Sequence, residues 1–311
     1  MLVSSLCREE ELKSERFLYW ADLIRSAWDF DNSGQPVYTH RKMWEWLFII
    51  EALHERDMLR PGRRGLGFGV GQDPMTALFA GLGCEITATD MDPDAADQAG
   101  WVETGQHAST LEHLNGHGLC EPDEFAERVD FRTVDMNHIP ADLDGYDFTW
   151  SACAFEHLGS ITRGQEFIFE QMRCLKPGGV GVHTTEFNVS SNRRTIATGG
   201  TVVFRRRDID WMADHLRSRG HSLTLDYDPG SSEADNHVDT PPFSNTHLKI
   251  LIGEHVATSM ALVVEKGSPD GTDLMPSTMR ARDYWLRAQQ AVMTVVARGR
   301  RLVARLSGRG R

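Results

Sequence analysis

Gly65, Gly67, Gly69 and Gly71 alternate through the stretch RGLGFGVGQDP, residues 64–74, with an apolar run, MTALFAGL, directly behind it. A glycine-rich turn that ends a strand and opens a helix lets the backbone approach a bound group closely, and it turns the free N–H groups of the helix N-terminus toward that group. Such a turn belongs to one kind of architecture, and the rest of the chain agrees with it. Short apolar runs (GLGFGV, EITATD, VDFRTVD, YDFTWSAC and GVGVHTTEF) alternate with helical stretches from Arg64 onward. Strands that alternate with helices imply a doubly wound, mainly parallel sheet. HLKILIG and ATSMALVVEK follow near residue 250 with only a few residues between them, too few for a parallel crossover, so these two strands form an antiparallel hairpin.

Asp90 ends the second run, where a carboxylate can accept hydrogen bonds from both hydroxyls of a ribose. The dinucleotide pattern GxGxxG fails, because Gln72 stands where the third glycine should follow Gly67 and Gly69. A glycine turn plus one acid fits nicotinamide, flavin and adenosylmethionine cofactors alike.

Outside this region the chain divides by pattern. Residues 1–60 read as an N-terminal helical cap: 9–30 and 40–58 are helical, and HRKMWEWLFIIEALHERDML places Trp44, Leu47, Ile50 and Leu53 near helical spacing. Residues 61–265 form the cofactor-binding domain, with a lid-like loop at 226–247 that has no periodicity. Residues 266–278 read as a linker, and 279–311 as a basic amphipathic helix with Trp285, Val292, Val296 and Val303 recurring at helical spacing. Residues 271–311 carry nine arginines and two acids; the chain's formal charge of −12 therefore leaves −19 on the first 270 residues. So acidic a body argues against a nucleic-acid partner, whereas the tail suits an anionic membrane surface or a protein partner. Five scattered cysteines without a CxxC pair argue against a disulfide framework and a zinc cluster. The N-terminus offers few apolar residues before its charges, and no run is long enough to span a bilayer. A cytoplasmic protein is expected, peripheral on the membrane face if the tail binds lipid.

Together these segments resemble the class I S-adenosylmethionine-dependent methyltransferases, from about residue 60 to residue 265. GFGVGQD aligns with that family's glycine motif, VDMN with its adenine-binding acid, YDFTWSACAFEHLGS with its fourth strand, and CLKPGGVGVHTTEF with its Lys-Pro-Gly-Gly turn and fifth strand. The resemblance implies a Rossmann-like sheet of seven strands with a terminal antiparallel hairpin. It implies S-adenosyl-L-methionine as cofactor, held by Phe68, Gly69 and Gly71, by Asp90 and Met91 at the ribose and adenine, by Asp135 and Met136 at the adenine, and by Cys153 beneath the sulfonium. Two positions depart from the family: Gly67 replaces an acid that helps hold the methionine ammonium, and Asp73 replaces the third glycine. Arg41, on the helix before the sheet beside His40 and Lys42, is a candidate for the methionine carboxylate.

GLGFGVG, TGQHA, CAFEHLGS and HTTEFN also look like bacterial methyltransferases associated with surface-glycan (polysaccharide) biosynthesis, which implies O-methylation of a sugar hydroxyl on a glycan. A hydroxyl needs a base, and His157, His183 and Glu186 sit where the C-terminal edge of the sheet should lie. The fifth strand should end near Thr185, leaving Glu186 and Asn188 at the pocket mouth. Glu156, Asn188 and, on the long loop, Asn236, His237 and Asp239 are the candidate sugar contacts, and no metal is expected. Two other readings stand beside this one. Gly67 favours a non-catalytic cofactor-binding module that scaffolds a glycan assembly complex, and amine or carbon acceptors fit the same motifs.

Overall fold

A computed structural model describes residues 1–28, 39–98, 100, 101, 103, 107, 108, 110–244 and 246–267. The expected amphipathic tail and nearly all of the linker lie outside the described residues.

The central sheet has seven strands: β1 Arg64–Phe68, β2 Glu85–Asp90, β3 Val129–Thr133, β4 Tyr146–Ala152, β5 Leu175–Asn188, β6 Lys249–Ile252 and β7 His255–Glu265. Their order across the sheet is β6-β7-β5-β4-β1-β2-β3. The pairs β3/β2, β2/β1, β1/β4 and β4/β5 are parallel, while β7 runs antiparallel to both β5 and β6. Ile252 faces His255 across the hairpin, so Gly253 and Glu254 alone make the turn, and Gly253 takes the positive φ (61°) that a two-residue turn demands. The strand order reverses between β1 and β4. In open α/β sheets the crevice beyond the strand ends at such a reversal is where ligands bind.

Side-chain alternation along the strands builds two cores. Phe148 and Trp150 of β4 join Trp44, Phe48 and Phe79 on one face, and Leu66 and Phe68 of β1 join Phe155, Phe167 and Phe204 on the other. Each large apolar side chain removed from water contributes about 1.5–3 kcal/mol, so the sheet is held from both sides. All seven positions of β4 are buried, as a central parallel strand requires.

The N-terminal segment is broken where a single helix over 9–30 is expected. A turn at Glu9–Leu12 stops, and Ser14 accepts the N–H of Phe17 (3.4 Å) to start α1, Glu15–Leu23. The next helix, α2, runs over Arg41–His54, because His40 caps it: its Nδ1 accepts the Lys42 N–H at 3.0 Å. Residues 43–53 of α2 are all buried, and the helix packs on β4, β5 and β7, so the described residues before β1 share a core with the sheet.

The segment 226–247, read from the sequence as lacking structure, is fastened at several points. Leu225–Asp226 pairs with Ser4–Ser5, a short helix spans Glu233–Asn236, Asp239 bridges to Ile250, and Thr246–His247 pairs with Thr39–His40. Among the described residues no helix is long and apolar enough to cross a membrane.

Candidate functional site

At the C-terminal end of β1 the chain turns through Gly69 (φ 55°) and Gly71 (φ 52°), both in the left-handed region that favours glycine. A Cβ on Gly69 would lie 3.0 Å from Ala154 Cβ and 3.4 Å from Met136 Sδ, so this turn is pressed between the end of β4 and the residues after β3. Gly67 has a different reason. A Cβ there would stand 2.4 Å from both Trp150 Cζ2 and Val70 Cγ1, so the indole of Trp150 occupies the space that an acid at this position would need.

Asp90 ends β2 beside the turn and is buried. Its carboxylate accepts backbone N–H groups from Gly71 (2.9 Å), Met91 (2.8 Å) and Ala108 (3.3 Å). Burial pushes its pKa up, opposed by these donors and by His107. His107 Nε2 donates to the Met91 carbonyl at 2.9 Å, and Gln72 donates to the His107 carbonyl at 3.2 Å, which folds residues 107 and 108 against the turn. Asp135, just past β3, is exposed and accepts from the Asn137 N–H (2.8 Å), with His138 Nδ1 also at 2.8 Å; Met136 is buried next to it. The glycine turn, the carboxylate of Asp90 and the apolar Met136 are compatible with an adenosyl group lying across the strand ends. Phe68 takes a different part from the one expected. Its ring is fully buried, edge-on to Phe167 at 5.1 Å, and belongs to the core.

Beyond the end of β4 lies a cavity of about 340 Å³ walled by α2, by the 153–157 segment and by β5. Cys153 begins that segment at φ 50°, rare for a side-chain-bearing residue, and its N–H donates to the Thr184 carbonyl at 3.2 Å. Charged side chains fill the wall. Arg41 Nη1 is 2.5 Å from Glu186 Oε1 and 3.8 Å from Glu45, while Lys42 Nζ is 3.2 Å from Glu45 and donates to the Ala152 carbonyl at 3.4 Å. Ser259 of β7 donates to Glu45. Glu156 is completely buried: Oε2 accepts from Thr185 Oγ1 at 3.3 Å, and Oε1 has no partner. Glu186 Oε2 is likewise unpartnered. Burial pushes Glu156 up to about 7, with Glu45 adding to the rise, and pushes Glu186 up to about 7 against the pull of Arg41. Asp73, beside Lys42 and Trp46, is pushed up to about 6 by burial. His157 lines the cavity with its ring edge-on to Trp101 at 4.6 Å, and its Nδ1 lies 2.8 Å from the Gly200 carbonyl. A carbonyl only accepts, so Nδ1 carries the proton and Nε2 is the accepting nitrogen of the neutral ring. Burial lowers the pKa of that ring.

Several expected residues lie elsewhere. β5 runs on to Asn188 instead of ending near Thr185, since β7 pairs with it from Val180 to Asn188. His183 is therefore mid-strand and fully buried, with Nδ1 2.9 Å from Ser151 Oγ and its ring edge-on to Phe167; burial drives its pKa down to about 3. It is a core histidine, and the expectation of catalysis is corrected. Asn188 binds the following loop through Arg194 O (3.0 Å), Thr195 Oγ1 (3.2 Å) and Ser190 N (2.9 Å), and lines no part of the cavity. Asn236 donates to the carbonyls of Ser231 and Ser232, Asp239 is buried with His247 Nδ1 at 2.6 Å and the exposed His237 at 3.9 Å, and none of the three lines the cavity. Arg41, expected at the cofactor carboxylate, is engaged by Glu186, and Lys42 stands nearer the end of β4. Sequence reasoning missed Glu45 and Ser259. An acid four residues after Arg41, flanked by Trp44 and Trp46, was the available signal for the first; the second has none.

Residues 66–182 match the protein family described as "Methyltransferase domain". No curated protein matches the chain. Solved structures similar to it include a methyltransferase from Galdieria sulphuraria (22% identity over 46% of this chain and 46% of that one, TM-score 0.34). Two more are phosphoethanolamine N-methyltransferase 2 of Haemonchus contortus in complex with S-adenosyl-L-methionine (17%, 54% and 36%, TM-score 0.36) and an S-adenosylmethionine dependent methyltransferase from Mesorhizobium loti (12%, 70% and 96%, TM-score 0.43). The chain thus spans less than half the length of the first two. The sequence match falls on residues 66–182, the part of the chain that holds the glycine turn and Asp90, and over that stretch the chain is similar to methyltransferase domains.

Proposed function

We propose that the whole chain transfers a methyl group from S-adenosylmethionine to a hydroxyl, most simply that of a sugar on a glycan. The observation that carries this reading is the cavity beyond β4, lined by charged and polar side chains and built from the same 153–157 segment that packs on Gly69. S-adenosylmethionine supplies an electrophilic methyl group; the protein's part is to hold an acceptor in line with it and to take up the acceptor's proton. His157 is placed for the second task, with Nδ1–H fixed on Gly200 and Nε2 left to accept. Carboxylates, Thr201 and imidazoles around the cavity match the donors and acceptors of a sugar edge. His40 also lines a neighbouring cavity of about 610 Å³ with Trp28, Phe243 and His247, which suits an acceptor larger than one ring. The non-catalytic reading leaned on Gly67, and the packing of Trp150 gives that glycine another reason.

The test is transfer of labelled methyl to a panel of sugars, sugar phosphates and amines, with the product analysed for its methylated atom. His157→Ala should lower turnover by about 100- to 10,000-fold while leaving cofactor affinity intact. Methylation of nitrogen or carbon, or unchanged turnover in the variant, overturns the hydroxyl reading. For the arginine-rich tail we propose an anionic lipid surface at the cytoplasmic membrane face. Deleting residues 279–311 should then release the protein from phosphatidylserine vesicles, and equal binding by both forms refutes it.

A further inference from the structure

Three carboxylates face the cavity; Glu45 is paired with Lys42, and each of the other two has one oxygen held by the protein and one left without a partner. Thr185 holds Glu156 Oε2 and Arg41 holds Glu186 Oε1; Glu156 Oε1 and Glu186 Oε2 are the unpartnered atoms, on side chains that are 0% and 5% exposed. Unpaired buried carboxylate oxygens are expensive, and two in one small cavity point to an absent positive charge. Cys153 completes the arrangement. Its Sγ and one oxygen from each glutamate lie within 4.8 Å of one another, the one such cluster of three among the described residues.

We infer that Cys153, Glu156 and Glu186 form a site for a single divalent cation of the zinc class. Bonds of ~2.0–2.3 Å to a tetrahedral ion would place its ligand atoms roughly 3.3–3.8 Å apart, so a small inward movement of side chains suffices. One sulfur and two oxygens suit borderline Zn²⁺ better than Mg²⁺, which takes an all-oxygen shell. Charge agrees: a thiolate and two carboxylates carry three negative charges and Arg41 one positive, a net of two negative charges to meet a divalent ion once it displaces the thiol proton, and Lys42 and Glu45 already offset each other. Thr185 and Arg41 are the outer partners that orient ligating carboxylates in such sites. Three protein ligands leave a coordination position facing the cavity. If the hydroxyl reading above holds, that position would polarise the acceptor oxygen; the site itself does not depend on it. The sequence led to an expectation of no metal; Asp235 and Asp239 of the long loop lie outside this cluster, engaged by Ser232 and by His247.

The experiment needs neither acceptor nor cofactor. The full chain is stripped with a chelator and titrated calorimetrically with zinc, then with cobalt while the near-ultraviolet thiolate-to-cobalt absorption is followed. One zinc per chain and that absorption band are expected. Glu156→Gln should weaken zinc by about 100-fold, and Thr185→Val, which keeps all three ligands, by about tenfold. Cys153→Ser should remove the band; circular dichroism of each variant verifies the fold. No zinc binding, cobalt bound without the band, or affinity indifferent to both Glu156→Gln and Thr185→Val overturns the site, and saturation of the cavity by methylammonium in place of zinc assigns it to an amine. Loss of methyl transfer with zinc binding intact would instead count against the hydroxyl reading alone.

Discussion

Gly67→Ala tests the claim that Trp150 displaced the acid other methyltransferases carry. The added methyl would stand 2.4 Å from Trp150 Cζ2, 2.7 Å from Cε2 and 2.4 Å from Val70 Cγ1, well inside contact distance. Trp150 is 1% exposed and packs edge-on to Phe79 at 5.1 Å, so its indole has nowhere to retreat. Overpacking of this kind costs about 1–3 kcal/mol, while replacing a strand glycine by alanine returns roughly 0.5–1 kcal/mol. Taken at the middle of these ranges, the net loss is about 1–2 kcal/mol, or a fall in Tm of roughly 1.5–3 °C for a chain of this size. Trp150→Phe removes the atoms that clash and by itself costs about 1–3 kcal/mol as a cavity. The double variant should then be more stable than the sum of the single losses, with a coupling of about 1 kcal/mol or more. Urea unfolding of the four proteins, followed by circular dichroism, supplies the cycle. Wild-type stability in Gly67→Ala, or strict additivity, would show that the indole is not the obstacle and that the missing acid needs another explanation.

Asp90→Ala should weaken S-adenosylmethionine and S-adenosylhomocysteine alike by more than about 100-fold, since both ribose hydroxyls lose a charged acceptor worth about 1.5–3 kcal/mol each; calorimetry showing unchanged affinity would move the cofactor elsewhere. His183→Leu should lower stability by about 1–2 kcal/mol, because Ser151 loses its partner, yet leave turnover per folded molecule unchanged; a selective loss of turnover at intact stability would return His183 to the site. Arg41→Met should cost about 3–5 kcal/mol by stranding the Glu186 charge, and Glu186→Gln in the same chain should recover most of it. Thermal unfolding of both proteins decides this, and a mild single effect would mean that Glu186 is already neutral.

Much of the fold was legible because its determinants are local. EITATD, residues 85–90, coincides with β2, the hairpin turn falls on Gly253, and the glycines at 69 and 71 adopt the backbone that only their lack of a Cβ makes easy. Period-two alternation and turn chemistry act over a few residues, so a sequence displays them directly. The chemistry beyond β4 was only half legible. Glu156 and His157 stood out in one short motif, but what surrounds them comes from α2, β5 and β7, brought together by strand pairing across more than two hundred residues. His183 and Glu186 looked equivalent in HTTEFN; pairing of β5 with β7 out to Asn188 fixed their opposite fates, one in the core and one on the cavity wall. The sequence by itself determined a doubly wound sheet with a cofactor turn at its first strand. Only the tertiary structure decided which charges are paired, which oxygens are left without partners, and why position 67 is glycine, because burial and long-range packing set the energy of a charge and the room for a side chain.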